Sequence, residues 1–390
     1  MKIILLFIFI IIPIHLFAQT GWILQNTNIT SNITWIQFIN NNTGYACGSS
    51  GVFLMTSNGG TNWINSYINT SNFKMIQFLD AQTGFASGDS GIVRTTNQGL
   101  NWVSVYSGID GMYIHFTDIN NGIKAGNTIS ITTNGGLTWQ NNYALPPGGI
   151  TGLYFFNGTN IYCTGWDWIM QFGGLYTARI NKSINGGLNW SYQYNSTLDF
   201  CCSATNAIFF YDQNTGFAVG YERETNYFYK TTNSGGNWSK LSTPSKMYST
   251  MFITGNTGWI CGELGNVYYT ENSGNNFNLQ ITNVSVALRK IFMLNKDTGF
   301  VAGDNGTILK TVNGGITGLN QSNSENPDNY SLSQNYPNPF NPVTKIKFAL
   351  KGTSAELTYL TVYDALGREV EELVNRQLEP GTYEADWDAS

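Results

Sequence analysis

Three short turns place an acid at one position: Gly88-Asp89-Ser90-Gly91, Gly262-Glu263-Leu264-Gly265 and Gly303-Asp304-Asn305-Gly306. Carboxylates repeated on one face of a fold are the raw material of glycoside hydrolysis, which needs one acid as proton donor and a second as base or nucleophile. An acid is also what a tight turn favours for its own hydrogen bonding, and that reading outweighs catalysis here. Two longer segments are rich in rings and charge: Trp166-Asp167-Trp168-Ile169-Met170-Gln171-Phe172-Gly173-Gly174-Leu175-Tyr176, and Tyr221-Glu222-Arg223-Glu224-Thr225-Asn226-Tyr227. Trp166, Asp167, Trp168, Phe172, Tyr176, Tyr221, Glu222, Arg223 and Tyr227 are therefore the candidate binding residues. Aromatic rings on such segments either anchor a sugar or protein or fill a small local core.

Other chemistry finds little material. The five cysteines (Cys47, Cys163, Cys201, Cys202, Cys261) show no metal-ligand spacing, and the two histidines are too few for a zinc site. Cys47 and Cys261 stand where other repeats carry Ser87, Ala125, Val219 and Ala302, and read as inert small core residues. Cys201 and Cys202 are free to pair with each other or with Cys163 in an exported chain. His115 shares an inner-strand position with Gln37, Gln77, Tyr154, Phe209, Phe252 and Phe292, a series suited to packing and channel lining. No catalytic residue, metal or cofactor is expected. Only 11% of residues are charged; without a basic stripe a nucleic-acid partner is not expected.

What positions these residues is a repeat. An Ile/Leu-x-Phe strand, a Thr-Gly-aromatic-Ala-x-Gly strand, a third strand and a Thr-x-Asn-x-Gly-x-x-Trp turn recur seven times, every forty residues or so. The turn runs from Thr56 to Trp63, Thr95 to Trp102, Thr132 to Trp139, Ser183 to Trp190, Thr231 to Trp238, Thr270 to Phe277 and Thr311 to Gly318. The second strand carries Tyr45, Phe85, Ile123, Tyr162, Phe217, Trp259 and Phe300 at one position. Asn58 and its equivalents Asn97, Asn134, Asn185, Asn233, Asn272 and Asn313 are expected to accept from amides two residues on, with the Ser/Thr hydroxyl adding a bond and the Trp buried beneath. The last turn has Gly318 in place of Trp, whereas Gly21-Trp22-Ile23-Leu24 resembles the Asn62-Trp63-Ile64 stretch. The N-terminal strand is thus expected to be the outer strand of the seventh unit, removing a free sheet edge. Units start near Asn28, Thr70, Gly108, Leu145, Ser196, Pro244 and Asn283.

The turn resembles the Asp-box, or BNR repeat, with Asn in place of Asp. The Thr-Gly-Phe-Ala-x-Gly and Asn-Gly-Gly-x-x-Trp phrases are similar to those of the photosystem II assembly factor (Ycf48/HCF136-like) group. That resemblance implies an all-β, seven-bladed β-propeller over residues 19–318 that holds protein partners without catalysis. The alternative is a glycoside hydrolase of sialidase or xyloglucanase type, families that also carry such boxes. Sialidases need three clustered arginines and six blades, whereas Arg94, Arg179, Arg223 and Arg289 fall at unrelated repeat positions.

The chain's ends concern export. Met1-Lys2, an apolar run from Ile3 to Phe17 and Ala18 have the order of a secretory signal peptide, residues 1–18. The run falls short of the roughly 20 apolar residues of a span, so no transmembrane segment is expected. Residues 319–329 read as a polar linker. Beyond them, Gln334-Asn335-Tyr336-Pro337-Asn338-Pro339-Phe340-Asn341-Pro342 and Val362-Tyr363-Asp364-Ala365-Leu366-Gly367 closely resemble signatures of the type A C-terminal sorting domain of the type IX secretion system of Bacteroidetes-type bacteria. The resemblance implies a partial immunoglobulin-like β-sandwich at 330–390, incomplete at its C-terminal end, and the secretion machinery as a partner. A secreted or cell-surface protein with an extracellular protein or glycan partner is expected.

Overall fold

The computed structural model describes residues 21–69, 71–108, 113–126, 128–141, 148–169, 175–196, 203–315, 319–323, 326–340, 343–354, 356–378 and 380–388. Residues 1–18, Phe172, Cys201, Cys202 and Gly318 lie outside them. The chain divides into a unit from Gly21 to Gly315 and a second one containing residues 316–390. No described helix is long and apolar enough to cross a membrane.

The first unit holds seven four-stranded antiparallel sheets among the described residues. Each repeat contributes one; in the first, Ile33–Phe38, Gly44–Gly48, Val52–Thr56 and Ile64–Tyr67 run from the innermost strand outward. Burial explains this order. The second strand of that sheet is buried throughout, while its fourth is exposed at every residue. The seventh sheet takes its inner three strands, Leu288–Met293, Gly299–Gly303 and Ile308–Thr311, from the end of the unit and its outer strand, Ile23–Leu24, from the beginning. Ile23 pairs with Lys310 and Leu24 with Leu309.

Neighbouring sheets are joined by rings at the regular aromatic position of the second strand. Tyr45 stacks on Phe78 at 3.5 Å between centroids, Phe85 on Phe116 at 3.5 Å, Tyr162 on Phe210 at 3.8 Å and Phe217 on Phe252 at 3.6 Å. Phe300 of the seventh sheet stacks on Phe38 of the first at 3.9 Å. Each ring reaches the innermost strand of the next sheet, so the last contact returns to the start and the sheets close on themselves. Such stacked pairs add about 0.5–1.5 kcal/mol each beyond area burial.

The repeated turn is built differently from the expected two-residue Asx bond. Asn58 Oδ1 accepts from the amide of Asn62, four residues on, at 3.0 Å, while the Thr56 hydroxyl accepts the Gly60 amide at 3.0 Å and donates to Asn58 Oδ1 at 3.0 Å. The same bonds recur from Thr95, Thr132, Ser183, Thr231 and Thr270. A turn of this span encloses two residues with positive φ, which is why glycine dominates there; at Gly99 (φ +86°) a Cβ would sit 2.4 Å from the Phe53 ring. Trp63, Trp102, Trp139 and Trp238 close over their own sheet's innermost phenylalanine edge-on, as Trp63 does over Phe38 at 5.9 Å and 85°.

The second unit pairs Leu319–Asn323 with Gly381–Asp388, which pairs in turn with Val343–Leu350 and, through it, with Ser331–Leu332. Glu356–Tyr363 and Glu369–Leu378 form a separate hairpin, closed by Asp364 Oδ1 accepting from the amides of Leu366 and Arg368, each at 2.9 Å. The expected linker is corrected in its first part: Leu319–Asn323 is a strand. Edge pairing uses main-chain groups, so a polar stretch without hydrophobic period can supply it. Phe348, Tyr383 and Ala385 are buried; the alternation expected over 345–350 is incomplete, since Ala349 beside Phe348 is buried as well.

Candidate functional site

The described residues of the two aromatic segments are extensions of strands rather than loops. In the fourth sheet Ile161–Ile169 and Leu175–Ser183 pair along their whole length, setting Trp166 opposite Ala178, Asp167 opposite Thr177 and Trp168 opposite Tyr176. In the fifth, Gly216–Glu222 and Thr225–Thr231 meet at a tight turn, with Tyr221 opposite Asn226 and Glu222 opposite Thr225. Arg223 occupies that turn at φ 55°.

The structure separates the candidates that face solvent from those that hold sheets together. Asp167 is 5% exposed. It forms an ion pair with Arg179 and accepts from the Tyr192 hydroxyl at 2.8 Å. Burial first, then the Asp167 carboxylate, push the Tyr192 phenol up. Glu222 accepts from the hydroxyls of Tyr194 and Tyr229, the latter at 2.9 Å, and pairs with Lys240 at 2.7 Å. The Lys240 ammonium lies 4.5 Å from the centroid of the Tyr227 ring. The Asp167 contacts lie within the fourth sheet, and the Tyr194–Glu222 bond ties the fourth sheet to the fifth, so Asp167, Glu222 and Tyr227 serve packing in this structure. Trp166 packs edge-on against Tyr176 at 4.9 Å and covers Gly149, where a Cβ would lie 2.7 Å from the indole. Tyr176 is exposed and Tyr221 half-buried, with the Lys246 ammonium 4.0 Å from the Tyr221 ring centroid.

The three turn acids do not converge as a free pair. Asp304 holds Arg289 by two bonds, to Nε at 2.9 Å and Nη2 at 2.7 Å. Glu263 accepts from the Tyr248 hydroxyl at 2.9 Å, and Asp89 accepts from the amide and side chain of Asn72 at 3.0 and 2.8 Å.

No protein-family model and no curated protein matches the chain. Solved structures do. The structure of YCF48 bound to a D1 peptide is similar over 75% of this chain and 97% of its own, with TM-score 0.61 and 19% identity. YCF48 from Cyanidioschyzon merolae is similar over 75% and 98%, with TM-score 0.59 and 18% identity. The WD40 β-propeller domain of Doa1 covers 75% of this chain and 96% of its own at TM-score 0.54 and 11% identity. The fold is a β-propeller. At these identities the likeness speaks of fold alone.

Within the propeller His115 stacks on Phe155 at 3.9 Å, and burial lowers its pKa to about 4. The series it belongs to needs one correction: Met251, not Phe252, faces Trp259 and so shares the position of Gln37 and His115. Phe252 is the buried ring that stacks on Phe217. The error came from a sheet whose Thr250-Met251-Phe252 breaks the Ile-x-Phe spelling. Cys47, Cys163 and Cys261 are buried free thiols, so Cys163 is not a disulfide partner; burial pushes the Cys261 thiol up to about 12.

Sequence reasoning missed a second group of surface residues. Lys246, Tyr248 and Arg289 continue from Tyr221 as alternating ring and cation, with the Arg289 guanidinium 4.7 Å from the centroid of Tyr248. The available signal was a polar or charged residue at one inner-strand position, obscured because the strand carries an extra residue there.

Proposed function

We propose that this chain is an exported, non-catalytic seven-bladed propeller that holds an extracellular protein on the face formed by the turns between second and third strands. On this reading each four-stranded sheet is a blade and Ile23–Leu24 closes the last one. The observation that carries it is the pairing of Glu263 with Tyr248 and of Asp304 with Arg289, which leaves these acids engaged in structural bonds beside a half-buried run of rings and cations. Such a surface suits a protein partner, because aromatic and arginine side chains dominate interface energetics. YCF48, which shares the fold, has been solved with a bound peptide. Residues 1–18 act as a signal peptide and residues 330–390 as a type IX sorting domain of immunoglobulin-like sandwich form, delivering the propeller to the cell surface.

The test is an array of extracellular proteins and glycans probed with the whole protein. A protein ligand that Tyr221→Ala and Tyr176→Ala weaken, without change in melting temperature, is the expected result. Glycosidase turnover abolished by Glu263→Gln or Asp304→Asn would instead make this an enzyme.

A further inference from the structure

One position on the third strand, opposite the aromatic position of the second, fastens neighbouring sheets at the end that carries the Asn-Gly turns. It holds Lys182 opposite Tyr162, Lys310 opposite Phe300 and Tyr269 opposite Trp259. The two lysines cross to the next sheet. Their ammonium groups lie 5.3 and 5.8 Å from the centroids of Tyr162 and Phe300, and donate to the turn carbonyls of Ser234 at 3.1 Å and Gly59 at 2.7 Å. Each lysine stem covers apolar surface while its head reaches a polar partner.

The sixth sheet has no such clasp. Tyr269 tilts onto Trp259 at 5.0 Å and donates to Glu271 Oε1, two residues on, at 2.6 Å. The corresponding carbonyl of the seventh turn, that of Gly314, accepts instead from the Trp259 indole at 2.9 Å and from Gln280 at 2.8 Å. Met293 also stands where the other innermost strands carry Phe38, Phe78, Phe116, Phe155, Phe210 and Phe252. What remains between the sixth and seventh sheets is a groove of about 600 Å³, whose walls include Met251, Ile253, Tyr269, Glu271, Met293 and Leu294. That volume falls among ligand sites, which span about 300–1,000 Å³. Glu271 Oε2 has no partner among the described residues. The other charged side chain on the groove, Lys296, is exposed and is followed in its turn by Asp297.

We propose that this groove receives a lysine or arginine side chain from an extended segment of a partner protein, its stem against Met251, Ile253 and Leu294 and its cationic head between the Tyr269 ring and Glu271 Oε2. The partner supplies at this seam the cation that Lys182 and Lys310 supply at theirs. A ring face and a carboxylate both favour a cation, and a charge-assisted bond is stronger than a neutral one. Burial, then the bond to Glu271, push the Tyr269 phenol up, so it remains the donor that holds the carboxylate in place. The volume leaves room for the residues on either side of the cation, which favours a peptide over a free amine. The groove sits at the opposite ends of the strands from Tyr176 and Tyr221, so the two binding sites can fail separately.

The test is an NMR titration of the whole protein, carbon-13 labelled at its methionine methyl groups. The probes are acetyl-Ala-Ala-Lys-Ala-Ala-amide, its arginine, norleucine and glutamate counterparts, and n-butylammonium chloride, all at matched ionic strength. Saturable shifts of the Met251 and Met293 signals are expected with the lysine or arginine peptide, and none with the norleucine or glutamate one. Glu271→Gln, at an exposed position, should weaken binding about tenfold, as loss of a charged hydrogen bond does. Tyr269→Lys, which installs the clasp of the fourth and seventh sheets, should abolish the shifts, while Lys296→Gln should not weaken them. Equal binding of the norleucine peptide, unchanged affinity in Glu271→Gln, or butylammonium bound as tightly as the peptides would overturn the assignment.

Discussion

Trp22 donates from its indole nitrogen to Gln280 Oε1 at 2.8 Å, joining residues 258 positions apart in the chain. Gln280 in turn donates to the Gly314 carbonyl at 2.8 Å, and Trp22 is 1% exposed among Trp259, Met293 and Leu309. The tryptophan missing from the seventh turn is thus supplied from the other end of the unit. Trp22→Ala removes a fully buried ring and is expected to cost about 3–5 kcal/mol, as large-to-small changes in cores do. Removing residues 19–28 should cost more, since the seventh sheet loses its outer strand. Thermal melting is the measurement, and an unchanged transition would refute the closure.

The hydroxyl in each turn accepts a buried amide. Thr132→Val keeps the shape but leaves the Gly136 amide, now bonded at 2.9 Å, without its acceptor. A buried donor left unsatisfied costs about 1–3 kcal/mol. Thr132→Ser, which keeps the oxygen, should be nearly neutral in the same denaturant titration.

Asp167 and Arg179 are both buried, so removing one charge strands the other. Asp167→Asn is expected to destabilise by about 3–5 kcal/mol, while Tyr176→Ala on the same hairpin changes the melting temperature little. Equal effects of the two would deny that Asp167 packs the sheet while Tyr176 faces solvent.

His115 gives the propeller an acid limit. Burial lowers its folded pKa from 6.5 to about 4, so the unfolded chain binds the proton more readily. Its contribution is present in full above pH 6.5 and is lost as pH falls from there towards 4. The depression corresponds to at most about 3 kcal/mol. His115→Gln, which copies Gln37 and Gln77, should flatten the fall in stability between pH 7 and pH 4.5, measured by urea titration at each pH.

Export should follow the second unit's sequence. Deleting residues 330–390 is expected to leave the protein inside a type IX-competent host, with residues 1–18 still cleaved. Surface labelling of the deleted form at the level of the whole chain would remove the sorting role.

The sequence by itself determined the repeating unit, its strand order and the displaced Trp22. These are local or periodic features: glycine at positive φ, a hydroxyl facing an amide, a ring at one register position in each strand. The closing contact of Phe300 on Phe38 was implied by that periodicity and needed only the ring to close. What the tertiary structure decided was the fate of the polar side chains. Asp167 and Glu222 stand in segments that read as a binding surface, yet their partners Arg179, Tyr192, Tyr194 and Lys240 lie on other strands or another sheet. The bulges that set Tyr248 and Arg289 apart are shifts of pairing between strands, so no single strand's spelling contains them. Burial and register are relations between segments, and a side chain's neighbours across a sheet exist only once the strands have paired.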